Sequence, residues 1–141
     1  MNRPFHLLRA WHLRLGRRGE NMACRLLRRE HCDVLCRNYR EPSGEIDIVA
    51  RDGGILTFVE VKTRYVTTAA RPAEGLNPRQ ELRIIEAARR YRQRIGNPRT
   101  VYRFDLIEVR FGRFGAVEVR HWPDHFSESS LRYYRRALRE G

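Results

Sequence analysis

The sequence predicts a single domain of the α/β (α+β) class, with elements in the order helix, three strands, helix, two strands, helix. Apolar residues recur at helical spacing in two well-separated stretches. Around them lie five runs rich in Val, Ile, Phe and Tyr, bounded by turn residues. A chain of 141 residues without a repeat or a low-complexity tract is long enough for one sizeable core.

Residues 17–31 read as the first helix, with Ala23, Leu26, Leu27 and Glu30 at helical spacing. Ahead of it, residues 1–15 form a basic N-terminal extension, expected as a surface helix or an arm. Arg and His interrupt its apolar residues too often for a secretory signal. Residues 33–40, 45–51 and 56–63 read as strands, and 64–76, with Thr67, Thr68, Pro72 and Gly75, as a loop. The second helix spans 78–95, with Ile84, Ala88, Tyr91 and Ile95 as its apolar stripe. Its start, Asn77-Pro78-Arg79-Gln80, supplies an N-cap, a proline at the first helical position and a capping-box glutamine. Strands follow at 100–109 and 116–122, and Pro123 is expected to turn the chain out of the sheet. A last, basic helix spans about 130–140, so the domain proper is assigned to 16–126 and the C-terminal helix to 127–141.

Composition excludes several classes of protein. No run approaches the roughly 18 apolar residues of a membrane span, and the cytoplasm is the expected compartment. Cys24, Cys32 and Cys36 are odd in number and crowded into one segment, which gives no disulfide framework. With His31 they match no zinc spacing and read as small buried apolar residues; the His121–His125 segment is equally weak as a metal site. A net charge of +12 and a pI near 10.9 point instead to a polyanionic partner. Residues 1–19 carry five arginines, 79–99 seven and 132–139 four, with Tyr91, Tyr133 and Tyr134 among them as candidate stacking groups. Arg17, Arg18, Arg64, Arg79, Arg83 and Arg90 are the candidate contacts to nucleic-acid phosphates.

Against this arginine background, Lys62 is the only lysine among 29 basic residues. It lies in the run Thr57–Arg64, two positions after Glu60. Gly53-Gly54 is a favoured two-residue hairpin turn, and it places Asp52 opposite Ile55. Counting back along both strands sets Asp47 opposite Glu60, and Glu45 opposite Lys62. Strict alternation then puts these four on one face, with Ile46, Ile48, Val59 and Val61 on the other. Directly opposed carboxylates either share a proton or hold a cation. Asp47, Glu60, the Val61 carbonyl and water form an oxygen site suited to Mg²⁺ or Mn²⁺. Glu45 is an accessory carboxylate. Gln80, facing the same way as Ile84 and Tyr91, is a candidate contact besides its capping role. Glu20 is a third carboxylate on the inward face of the first helix, or simply an acid favoured by the helix N-terminus.

The segments GRRGENMA (16–23), RNYREPSGEIDIVA (37–50), FVEVKTR (58–64) and RFDLIEV (103–109) resemble the YraN-like family of bacterial proteins. That family is predicted to be endonucleases of the PD-(D/E)xK superfamily, distantly similar to archaeal Holliday junction resolvases. The resemblance covers about residues 16–122. It implies a restriction-endonuclease-like core, a central mixed β-sheet flanked by helices. It further implies that Asp47 and Glu60 ligate a metal ion, that Lys62 is the catalytic lysine and that Glu20 is the helix carboxylate. DNA, branched or structured DNA in particular, is then the expected partner, and a homodimer the candidate assembly. The alternative is a nucleic-acid-binding or scaffold protein that keeps the nuclease fold without turnover.

Overall fold

The computed structural model describes residues 5–65 and 76–129, together with 132, 136 and 139 of the tail; within the first helix, side chains are described from Gly16 onward. Seven elements follow one another: α1 (Phe5–Arg29), β1 (Asp33–Glu41), β2 (Gly44–Asp52), β3 (Ile55–Tyr65), α2 (Pro78–Arg94), β4 (Val101–Gly112) and β5 (Gly115–Phe126). The strands form one sheet in sequence order, antiparallel throughout except where β4 runs parallel to β3. A parallel neighbour requires a crossover, and α2 supplies it. This is the mixed sheet flanked by helices that the sequence predicts, a restriction-endonuclease-like core. The loop expected at 64–76 and the helix at 130–140 fall largely outside the described residues. Among the described residues, no helix is long and apolar enough to cross a membrane.

Each helix covers one face of the sheet. On one side Ala23, Cys24 and Leu27 of α1 meet Ile48, Ala50, Val59, Ile107, Val109 and Phe111. On the other, Ile84, Ile85, Ala87 and Ala88 of α2 meet Val49, Leu56, Phe58, Phe104 and Leu106. Cys24 and Cys32 are buried free thiols and Cys36 is half-buried, as expected of small apolar side chains.

Four local expectations are corrected. The first helix does not begin at residue 17 but runs unbroken from Phe5, so the N-terminal extension is helical from that residue. It ends where His31 takes a positive φ of 65° and the Cys32 N–H reaches back to the Leu27 carbonyl. The stripe on α2 stops short of Ile95, which is 47% exposed beyond the helix end; Ile85 and Ala87 fill the core in its place. Pro123 does not end β5. As an edge strand β5 leaves one row of N–H groups outside the ladder, so a proline is tolerated, and Asp124 absorbs the irregularity with a φ of 52°.

The last correction concerns the site. Ile46 packs on the α2 side with Tyr39, its partner across β1, whereas Ile48 packs on the α1 side. Alternation therefore breaks at Asp47, and Ile46 does not share a face with Ile48 and Val59. The paired register of β2 and β3 ends at Ile48↔Val59. Beyond that point β2 continues against β1 alone, as far as Glu41↔Gly44, and β3 against β4 alone, as far as Tyr65↔Phe111.

Candidate functional site

The split between β2 and β3 begins where the acidic residues stand. The hairpin register predicted from Gly53-Gly54 holds at Asp52↔Ile55 and Ile48↔Val59, and Gly53 has the positive φ (58°) such a turn needs. Asp47 then reaches across, and its carboxylate Oδ2 accepts the Val61 N–H at 2.8 Å. A side chain thus takes a ladder position that backbone would otherwise fill. N–H and C=O of one strand residue point to the same edge, so the Val61 carbonyl also faces the gap.

The Asp47 and Glu60 carboxyls lie close enough for each to act on the ionisation of the other. Two carboxylates so placed favour a form in which one of them holds a proton. Burial and the adjacent Asp47 carboxylate push the pKa of Glu60 up to about 9, with Lys62 offsetting part of the rise. Burial raises Asp47 as well, opposed by the Val61 N–H and reinforced by the charges of Glu20 and Glu45. Without a cation, then, the pair cannot be doubly ionised near neutral pH. A hard divalent ion relieves this conflict, and Mg²⁺ commonly makes do with one or two carboxylates plus water and substrate phosphates. Among the described residues, no three His, Cys, Asp or Glu side chains converge into a ready metal cluster. The two carboxylates with the Val61 carbonyl fit an ion whose remaining ligands come from outside the protein.

The residue pattern that folds this way is shared. The profile of the uncharacterised protein family UPF0102 matches residues 19–109, from the close approach of α1 to the end of the core of β4. The chain belongs to this family. Among its relatives are UPF0102 proteins of Chlorobaculum parvum (41% identical, covering 77% of this chain and 84% of the relative) and Syntrophotalea carbinolica (43% identical, 81% and 92%). A third, from Symbiobacterium thermophilum, is 38% identical over 76% of this chain and 91% of its own. The resemblance to the YraN-like family is thereby borne out.

The UPF0102 match contains Glu20, Glu45, Asp47, Glu60, Val61, Lys62 and Gln80 but not Arg17 and Arg18. Glu60 and Glu45 line a cavity of about 140 Å³ with Gln80, Arg83 and Ile84. Glu45, however, is not registered against Lys62. Its Cα partner is Arg40, whose Nε lies 3.7 Å from the carboxylate. The Cα partner of Lys62 is Glu108 of β4. Gln80 completes the expected capping box, its Oε1 accepting the Asn77 N–H at 3.3 Å, and it also lines the cavity. Glu20 lies near enough to act on Asp47 electrostatically, yet its carboxylate pairs with Arg37 at 3.4 Å.

The expected phosphate contacts scatter more widely. Arg17 and Arg79 are exposed, and Arg18 places its guanidinium 4.9 Å from the centre of the Phe111 ring. Arg64 lies on β3 with Nε 3.5 Å from Glu108. Arg90 lies well along α2 from Gln80, close enough to Glu41 to act on its charge.

Two glycines matter to the site and were missed from sequence. A Cβ on Gly19 would stand 2.1 Å from Thr63 Oγ1, so its absence lets α1 lie against β3 and carry Glu20 to the sheet. A Cβ on Gly44 would stand 2.2 Å from the Arg83 carbonyl, so α2 and the start of β2 touch through backbone. A glycine directly before each of Glu20 and Glu45 was the available signal.

Proposed function

We propose that the protein is a metal-dependent endonuclease that hydrolyses phosphodiester bonds in DNA, with branched or structured DNA as the substrate to test first. The observation that carries this reading is the Asp47–Glu60 pair. Two carboxylates that cannot both carry a charge without a cation stand together where β2 parts from β3, with the chain's single lysine two residues beyond Glu60 on β3. Such a pair costs stability unless a cation joins it. The net charge of +12 supports nucleic acid as the partner.

Asp47 and Glu60, with the Val61 carbonyl, would hold Mg²⁺ or Mn²⁺. When bound, such an ion supplies Lewis acidity toward a phosphate oxygen and lowers the pKa of its water. Lys62, two residues beyond Glu60 on β3, offers a compact ammonium to the phosphate, where negative charge grows during displacement. Glu45 or Glu20 accepts the proton released by the attacking water. Arg83, on the wall of the cavity, steers the backbone of the substrate toward Glu60.

The rival reading is a binding or scaffold protein on a nuclease fold, favoured in that no third His, Cys, Asp or Glu side chain joins Asp47 and Glu60 in a metal cluster among the described residues. Cleavage decides between them. With Mg²⁺ or Mn²⁺ the purified protein should cut linear, flapped or four-way DNA, and Asp47→Ala should not. Lys62→Arg keeps the charge but replaces the ammonium by a planar fork. It should fold and bind DNA yet cut slower by a factor on the order of 10². Binding without cleavage of any of the three substrates would select the scaffold reading.

A further inference from the structure

The tip of the β4–β5 hairpin carries a feature that neither the core nor the carboxylate site uses. Phe114 is 97% exposed, the most exposed of the large apolar side chains among the described residues. It contributes nothing to either hydrophobic cluster, and its sequence neighbour Arg113 places a guanidinium 5.8 Å from its ring centre. The turn that displays it is built from Gly112 and Gly115, which pair across the hairpin, with Gly115 at a φ of 124°. That conformation suits glycine and lets the chain reverse in a tight turn, with Phe114 exposed at its tip.

The position of this tip relative to Lys62 gives it meaning. Because β4 is parallel to β3, the partner positions Lys62↔Glu108, Arg64↔Arg110 and Tyr65↔Phe111 carry both strands toward the same end of the sheet. The hairpin tip lies just beyond that end. From Lys62 to Phe114 the route passes arginines. Arg64 and Arg110 stand as neighbours on the face of Lys62, and both approach the buried Glu108, with Nε at 3.5 and 3.8 Å. Glu118 holds Arg110 at 3.2 Å, and Arg113 follows at the tip. Four steps of extended chain from Glu108 to Gly112 span roughly 14 Å at about 3.4 Å each, and Phe114 stands in the turn just beyond. This is a line of guanidiniums that starts beside the lone lysine and ends on an exposed aromatic ring.

We infer that the β4–β5 hairpin tip is a nucleic-acid contact, in which Phe114 stacks on an unpaired base while Arg110 and Arg113 meet the phosphates leading to it. The inference rests on the proposed nuclease reading for its partner and adds the substrate feature it selects, a single-stranded segment a few nucleotides from the bond at Lys62. Fully paired DNA offers the ring a base face only at its two ends, whereas single-stranded gaps and flaps offer one at every unpaired base. Aromatic stacking of this kind tolerates any base.

The test is binding in EDTA, where no cleavage intervenes, of a fluorescently labelled single-stranded oligodeoxynucleotide and of a blunt duplex of the same length. Phe114→Ala should weaken single-strand binding on the order of tenfold, the scale of losing one base–aromatic stack, and duplex binding much less. Phe114→Tyr, which still stacks, should bind as the unaltered protein does. Phe114→Leu, equally apolar but without a ring face, should bind like the alanine variant. Melting temperatures should stay together across the set, since the side chain is not part of the core. Unaltered single-strand affinity in Phe114→Ala, or full affinity in Phe114→Leu, would overturn the inference while leaving the nuclease reading intact. If the unaltered protein binds neither DNA, both fall together.

Discussion

Asp47 and Asp105 are both withdrawn from solvent in the same sheet, and their surroundings push them in opposite directions. Asp105, on β4, is fully buried and fully matched. Arg103 Nε meets it at 3.0 Å, His121 Nε2 at 2.7 Å, and the Asp124 N–H donates to it at 2.9 Å. These partners overcome the cost of burial and hold its pKa below the usual carboxylate range. They also join distant elements. Arg103 continues to Asp52 at the β2–β3 turn, and His121 Nδ1 continues to Glu30 just past the end of α1. Asp47 receives one backbone N–H and, instead of a cation, the carboxylate of Glu60, and its pKa rises. The same residue type has its charge stabilised where the protein completes its shell and its charge disfavoured where the shell is left short.

Asp105→Asn should have the largest effect. It removes the charge that Arg103 and His121 were buried against, so unfolding in urea should show a loss of about 3–5 kcal/mol. A loss under 1 kcal/mol would mean that the network is no clamp.

The pH dependence comes next. His121, between Asp105 and Glu30, has its pKa raised: burial opposes the charged form, but the two carboxylates outweigh it. Its contribution is therefore complete below the unfolded value near 6.5 and is lost as pH rises through the higher folded value, at up to about 1.4 kcal/mol per pH unit. Glu60, raised to about 9, has the same sign in the metal-free protein: stability is lost from the unfolded value near 4.5 up through pH 9. Melting temperature followed from pH 5 to 9 should fall for both reasons. His121→Gln should remove one part of the slope and saturating Mn²⁺ the other. A slope untouched by Mn²⁺ would detach the ion from Glu60.

Asp47→Asn should show the smallest change, and in the opposite direction from Asp105→Asn. The amide oxygen can still accept the Val61 N–H and the amide NH2 can donate to Glu60, while the cost of burying the Asp47 charge disappears, so the metal-free protein should gain a few tenths to about 1 kcal/mol. The rise in melting temperature that Mn²⁺ gives the unaltered protein should vanish. A destabilised Asp47→Asn would place the two aspartates in one class and erase the contrast.

The two aspartates also differ in how far sequence discloses them. Asp47 and Glu60 were legible because a Gly-Gly turn fixes the register of its hairpin and the only lysine marks the strand. The same extrapolation failed one step later, at Glu45 and Ile46, because it assumed an unbroken period of two. An aspartate that substitutes its side chain for a ladder bond breaks that period, and nothing in the residue string announces it. The shell of Asp105 was invisible for another reason. Its members come from α1, the β2–β3 turn, β4 and β5, and only the assembled sheet makes them neighbours. Pro123 misled the reading of β5 because the sequence does not say which strand lies at an edge.

The parting of β2 from β3 has a mechanical consequence. Below Ile48↔Val59 the two strands are woven together; above it the short end of β2 belongs to β1 and, through Gly44, to α2, while the end of β3 belongs to β4. The sheet is there a garment with an open seam, and Asp47 and Glu60 are the facing edges of the cloth. Whatever spans those two side chains is a button as well as a ligand. It fastens the α2 half of the molecule to the β4–β5 half, so occupancy of the site should be readable as slowed amide exchange in strands that never touch the ligand.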